Sequence, residues 1–371
     1  MDINKEVLYE INEKLYHRFE AKNHMIYRRT WDEKLPTYGK FFEENIESHI
    51  NSKKEGYSRV DFALVAAGWT VYERFPFAFA WEREVNYDIG YGINWMKSHF
   101  EVKDLQLFTQ TIKKAAIFYG ASLVGIADVN KKWIYKSGFV RPNLTSEANS
   151  KKEIRKGTSA KSILETPIDL PEGINKVIVL AIEMDQMGIS TAPAQPAAAA
   201  AAIAYSKMAF IIACLGEFIR NLGYRAIQCG NDTAISIPLG VDAGLGALGR
   251  NGLLITPEYG PRVRLCKVFT DLPLISDKAN HEFIQNVNKT CRNCLMCAEA
   301  CEPKAISIQK EPDFNPLSIS NNPGVKKYYV DVEKCFEFWI ENSSDCGSCI
   351  SACPYSKIEK KLTPSQFWEF K

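Results

Sequence analysis

No cysteine precedes Cys214 in this chain of 371 residues, yet eight of its 11 cysteines fall between Cys291 and Cys353. Disulfide frameworks belong to short, secreted chains that are cysteine-dense throughout, so this distribution excludes one and points to local metal chemistry. A basic excess is also missing. The 46 Lys and Arg against 44 Asp and Glu leave a net charge of +2, which argues against nucleic acid or a membrane surface as partner. Apolar runs such as Met208–Leu215 fall short of the ~20 residues of a membrane span. Met1–Leu8 mixes charge with apolar residues, and Arg28-Arg29 is followed by Thr30 to Lys34 where an export signal needs apolar residues. A cytoplasmic chain is therefore expected, or a membrane-associated mature form whose export signal has been removed. Histidine is scarce: the five are His17, His24, His49, His99 and His281, and none lies between residues 100 and 280. General acid catalysis in that stretch must come from Tyr, Lys, Asp, Glu or Cys.

What is present is an ordinary globular composition, 46% hydrophobic and 24% charged, long enough for about two to three domains. Residues 1–100 form a helical and aromatic region, with helices expected around Lys5–Glu20 and Phe41–Ser52 and an aromatic run from Tyr72 through Phe75, Phe77 and Phe79 to Trp81. Residues 101–280 mix helix and strand. Helical spacing covers Leu105–Tyr119 and Pro196–Leu222, the latter with Pro at its start and Gly223 at its end. Strands are expected at Leu123–Ala127, Lys176–Ile182, Ala226–Cys229, Ile235–Leu239, Leu253–Thr256 and Val263–Phe269. Ser146–Lys161 reads as an exposed loop or short helix. The fold class is α+β. Residues 281–371 form a small cysteine domain with few apolar runs, so bound metal should support its fold.

Two spacings carry the chemistry. Cys291-x2-Cys294-x2-Cys297-x3-Cys301 is followed by Cys335-x10-Cys346-x2-Cys349-x3-Cys353-Pro354. Such runs wrap three corners of a 4Fe–4S cubane and send the fourth cysteine to the other cluster. That rule gives one cluster Cys291, Cys294, Cys297 and Cys353, and the other Cys301, Cys346, Cys349 and the displaced Cys335. Structural zinc is the competing reading, but zinc sites use two-cysteine knuckles. Glu302 stands where the bacterial pattern has proline. Cys214, Cys229 and Cys266 sit in apolar segments and read as packing residues. Gly244-Leu245-Gly246-Ala247-Leu248-Gly249 matches a dinucleotide spacing, without the strand or ribose-binding acid that should flank it.

The block from Gly240 to Leu274 closely resembles the corrinoid-dependent reductive dehalogenases. So do Tyr119 to Asp128 and Cys335-Phe-Glu-Phe-Trp339 with the cysteine-rich tail. The resemblance covers about residues 15 to 357. It implies a nitroreductase-like corrinoid-binding core joined to a two-cluster ferredoxin-like domain. The implied activity is reductive dehalogenation of a small organohalide by a base-off corrinoid, as Co(I), recharged through the two 4Fe–4S clusters. No Asp-x-His-x-x-Gly occurs, which agrees with a base-off form. Tyr205 matches the family's proton donor, assisted by Asn231 and Arg264, with Arg262 the second choice for the arginine. Trp339 matches a wall of the substrate pocket. Corrinoid contacts are implied for Asn231, Thr233, Gly244, Leu245, Gly246, Arg250 and Asn251. The implied partners are an external low-potential electron donor, with a membrane-anchor subunit and a homodimer both open.

Taken singly, these residues have plainer readings. Tyr205 fits a core tyrosine, Arg264 an ion-pair residue, Asn231 a turn residue and Trp339 ordinary core; only their joint match selects the catalytic one. A phenol is a weak acid, yet it can protonate a carbanion-like centre, and a nearby Arg favours its deprotonated form. Two other functions compete. One is a corrinoid and iron–sulfur reductase of the epoxyqueuosine reductase type, which the neutral charge and the Gly240 to Leu274 block disfavour. The other is a non-catalytic corrinoid electron carrier, which would need no proton donor.

Overall fold

The computed structural model describes residues 8–74, 99–140 and 164–369. The elements that position the site are, in chain order, helices α1 (Arg59–Gly68) and α2 (Leu105–Phe118), strands β1 (Leu123–Asp128) and β2 (Lys176–Glu183), helix α3 (Gln195–Asn221), strand β3 (Ala226–Cys229), helix α4 (Ser236–Asp242), strand β4 (Val263–Thr270), and helices α5 (His281–Asn293) and α6 (Val332–Asn342). The four strands form one antiparallel sheet in the order β1-β2-β4-β3.

Both faces of this sheet are covered, which explains the uninterrupted apolar run of β2. Ile178, Leu180 and Ile182 meet Met208 and Ile212 of α3, while Val177, Val179 and Ala181 join Trp133, Tyr135 and Leu239 on the other side. Alternate residues of a strand point to opposite faces, so a strand buried on both has no polar position to spare. Helix α3 is long and apolar enough to cross a membrane by length and composition. It is instead largely buried in the core, against α1, α2 and the sheet.

Several expectations change. Residues 8–20 contain no helix: Ile11 bridges Val325, Asn12 donates to the Gly324 carbonyl at 2.8 Å, and Glu20 bridges Ser137. Backbone pairing to distant segments overrides local helical spacing there. Ile235–Leu239 is not a strand but the start of α4, where Pro238, third in the helix, needs no intrahelical donor. Cys229 and Cys266 are buried as expected, whereas Cys214 is only half-buried. Phe75, Phe77, Phe79, Trp81, Ser146–Lys161 and the start of Lys5–Glu20 lie outside the described residues.

The Gly244 to Gly249 run has a packing explanation. Gly244 adopts φ +74, and a side chain on Gly246 would sit 2.0 Å from the Ile255 carbonyl oxygen. The glycines let a two-residue bridge, Ala247–Leu248 with Leu254–Ile255, close tightly. The Arg28-Arg29 pair is structural as well: Arg28 bonds Asp32 at 2.8 Å and Glu333 of α6 at 2.5 Å, and Arg29 lies 4.8 Å over the Phe41 ring.

Candidate active site

Tyr205 projects from the middle of α3, and four neighbours from outside that helix surround it. Its hydroxyl accepts a hydrogen bond from Asn231 Nδ2 at 2.9 Å. Its ring stacks on Trp69 at 4.9 Å and meets Tyr72 edge-on at 5.2 Å. The Arg264 guanidinium lies 4.9 Å over that ring, an attractive cation–π arrangement. Arg264 also bonds Asp345 at 3.0 Å, while its buried Nε has no partner. Arg262 is directed elsewhere, to Glu183 at 2.8 Å and to the Met184 and Ser356 carbonyls at 2.7 and 3.0 Å. Arg262 lies just before β4, and these partners hold it away, so Arg264 is the arginine beside Tyr205.

The loop carrying Asn231 is fixed from below. The buried Lys267 ammonium donates to the Gly230 carbonyl and to Ser236 Oγ at 3.0 Å. Asp232 accepts from the Gly230 amide at 2.7 Å and from the Thr233 hydroxyl at 3.1 Å. Tyr135 donates to the Asn231 carbonyl at 3.0 Å. Burial raises the Asp232 carboxyl and lowers the Lys267 ammonium, and each partner's charge opposes that shift. Thr233 holds φ +67 inside this turn, so its role is conformational.

Arg264, Asp345, Trp339, Asn251, Trp133 and Tyr135 line one cavity of about 500 Å³, within the usual range for small-molecule sites. Cys301, Cys335, Cys346 and Cys349 line the same cavity. Cys291, Cys294, Cys297 and Cys353 surround a second, smaller hollow beside Arg250 and Tyr355. The eight thiols thus fall into the two groups of four expected from their spacing. Burial first, then the charges of Cys291, Cys353 and Cys294, push the Cys297 thiol up to about 12; burial and then Cys301 and Cys346 do the same to Cys335. Four crowded, buried thiolates need a cationic group among them, and a cluster fits that need. Among the described residues no three His, Cys, Asp or Glu side chains gather as ligands of one metal ion would.

Of the expected corrinoid contacts, Asn251 lines the cavity and Asn231 holds Tyr205. Asn231 itself, Thr233, Gly244, Leu245, Gly246 and Arg250 are not on its wall, and neither is Tyr205, which reaches it through Arg264. Leu245 is buried in the core. Arg250, also buried, spends its guanidinium on the carbonyls of Cys291, Ser307, Gln309 and Arg292 at 2.9, 2.7, 2.8 and 3.4 Å. Composition and motif gave no sign of Asp345, Trp69 or Tyr72; Asp345 had one local hint, its position directly before Cys346. His24 also lines the cavity, although it lies outside the stretch without histidine. Its Nδ1 accepts from the Ile26 amide at 3.3 Å, and burial lowers its pKa, so the ring is neutral and presents N–H from Nε2.

A family model described as "Reductive dehalogenase subunit" matches residues 157–274, and a "4Fe-4S dicluster domain" model matches residues 290–357. The tetrachloroethene reductive dehalogenase of Sulfurospirillum multivorans is 35% identical over 322 residues, covering 83% of this chain and 64% of that protein. The chain is thus similar to a reductive dehalogenase over most of its length. A second tetrachloroethene reductive dehalogenase, from Desulfitobacterium hafniense, is 37% identical over 279 residues, 68% of this chain and 48% of its own length. The chain therefore spans about half to two thirds of the curated relatives it matches. The solved structure of a catabolic reductive dehalogenase, NpRdhA, superimposes with a TM-score of 0.65 at 19% identity, over 94% of this chain and 43% of that one. The dehalogenase fold with its C-terminal dicluster domain is thereby shared.

Proposed function

We propose that this chain reduces an organohalide, consuming two electrons and one proton and releasing halide, with Tyr205 as proton donor. The observation that carries the reading is the convergence of Tyr205 and Asn231 on Arg264, which lines a cavity shared with four cluster-spaced cysteines. The cavity fits a base-off corrinoid: its wall is mainly apolar, its one described histidine is engaged through Nδ1, and Arg264 Nε awaits an acceptor. When bound, that cofactor supplies the reducing power for carbon–halogen cleavage. The surrounding residues orient and protonate. Asn231 fixes the direction of the Tyr205 hydroxyl, Arg264 favours the tyrosinate left after proton transfer, and Trp339 with Trp133 excludes water. The antiparallel sheet backed by α3 fits a nitroreductase-like core over residues 101–280, followed by the ferredoxin-like domain over 281–371. Electrons enter from an external low-potential donor and pass from the Cys291 group to the Cys301 group, which borders the cavity.

Anaerobic reconstitution should yield about eight irons per chain with matching sulfide; stoichiometric zinc with little iron would reject the cluster assignment. Cys335→Ala should disturb only the cluster of Cys301, Cys346 and Cys349, and two unchanged clusters in the EPR spectrum of the reduced variant would overturn its place as ligand. In the Co(II) form, nitrogen superhyperfine splitting would contradict base-off binding.

Asp345 should act as a positioning residue. Asp345→Asn keeps the shape but removes the charge that holds Arg264. Losing one charge-assisted hydrogen bond, about 1.5–3 kcal/mol, should lower turnover by roughly 10- to 100-fold at unchanged iron and corrinoid content. Parent-like turnover in a fully loaded variant would leave Asp345 with no part in the site.

A further inference from the structure

Residues 320–330 form one wall of the cavity, through Ser320, Asn321, Asn322, Val325, Lys327 and Tyr328. Lys327 is the anomaly. Its neighbour Lys326 is exposed and pairs with Glu10 at 2.8 Å. Lys327 faces the cavity, enclosed by protein, and no acidic side chain among the described residues pairs with it. Its ammonium instead lies 4.8 Å over the Tyr329 ring. The backbone is held in place by reciprocal hydrogen bonds with Asp313 at 3.1 and 3.0 Å. Burial lowers its pKa to about 8, the mark of a cation without a counter-charge. An enclosed cation without a counter-charge is costly unless a ligand supplies one.

We infer that Lys327 forms an anion subsite that takes the phosphodiester of the corrinoid's nucleotide tail. The inference rests on the corrinoid reading above. A base-off cofactor has its nucleotide tail released from the metal, and the tail carries one negative charge at its phosphate. An ammonium on the cavity wall holds that charge and fixes the tail away from the reacting face.

Corrinoid truncation tests this on the iron-loaded protein, by titration in the dark with fluorescence quenching as readout. Cobalamin carries the phosphate and base, cobinamide phosphate carries the phosphate alone, and cobinamide carries neither. Lys327→Met should weaken cobalamin and cobinamide phosphate by roughly 10- to 100-fold, the worth of a charge-assisted hydrogen bond. It should leave cobinamide affinity unchanged, and Lys327→Arg should restore most of the loss. Equal weakening of all three corrinoids, or of none, would overturn the subsite while leaving the corrinoid reading intact. A parent protein that binds none of the three would overturn both. Inorganic phosphate should compete with cobalamin and cobinamide phosphate but not with cobinamide; competition with all three would assign Lys327 to a free or substrate-borne anion instead.

Discussion

Tyr205→Phe is expected to lower turnover by roughly 10²–10⁴, the usual worth of a positioned general acid, while iron and corrinoid contents match the parent. The ring stays, so the stack on Trp69 and the cation–π contact with Arg264 survive. Only the hydroxyl bonded to Asn231 is lost, and because Asn231 is exposed its amide turns to water at a stability cost of about 1 kcal/mol or less. Arg264→Lys keeps the charge but not the planar fork that reaches both Asp345 and the Tyr205 face, so it should cost less activity than Arg264→Ala. Halide release and cofactor content measured on the same Tyr205→Phe preparation separate chemistry from packing. Full loading with unchanged turnover would remove Tyr205 from the mechanism.

The second large effect concerns stability. Arg250 ties the core to the loops around Cys291 and Ser307 through its hydrogen bonds to backbone carbonyls, and its guanidinium lies 3.9 Å over Tyr328. Arg250→Ala removes the donor those half-buried carbonyls share. Hydrogen bonds to a charged group are worth about 1.5–3 kcal/mol each, so a loss on the order of 3–5 kcal/mol is expected after partial relaxation. The Cys291 hollow should suffer first, because Cys291 supplies one of the carbonyls. Urea unfolding, with iron loss to a chelator followed in parallel, should show early release of about half the iron. Parent-like unfolding with both clusters retained would contradict this account of Arg250.

Local pattern made some of this legible. The grouping of eight cysteines followed from spacing alone, because cluster geometry constrains sequence separation directly. Helices α2 and α3 and strands β1 to β4 lay where periodicity put them. Tertiary pairing decided the rest: residues 8–20 are non-helical, with Ile11 bridged to Val325 and Glu20 to Ser137, and Ser236 begins a helix because Pro238 suits a first turn. Gly244, Gly246 and Arg250, expected at the cofactor, pack closely on backbone or clamp the cluster loops. A strongly patterned block can thus carry architecture as well as contacts. Asp345 and Lys327 had little sequence signature, since their importance lies in what faces them across the cavity, from strand β4 in one case and from no counter-charge in the other.

The most direct test of organohalide reduction is electron and halide stoichiometry on anaerobically reconstituted, corrinoid-loaded protein. Reduced methyl viologen supplies the electrons, and a panel of haloalkenes and haloaromatics supplies the substrate. The account predicts one halide released for every two viologens oxidised, with the dehalogenated product in equal amount, and loss of both in Tyr205→Phe. Fully loaded protein that oxidises viologen without releasing halide from any member of the panel, or that reduces an epoxide instead, would contradict it.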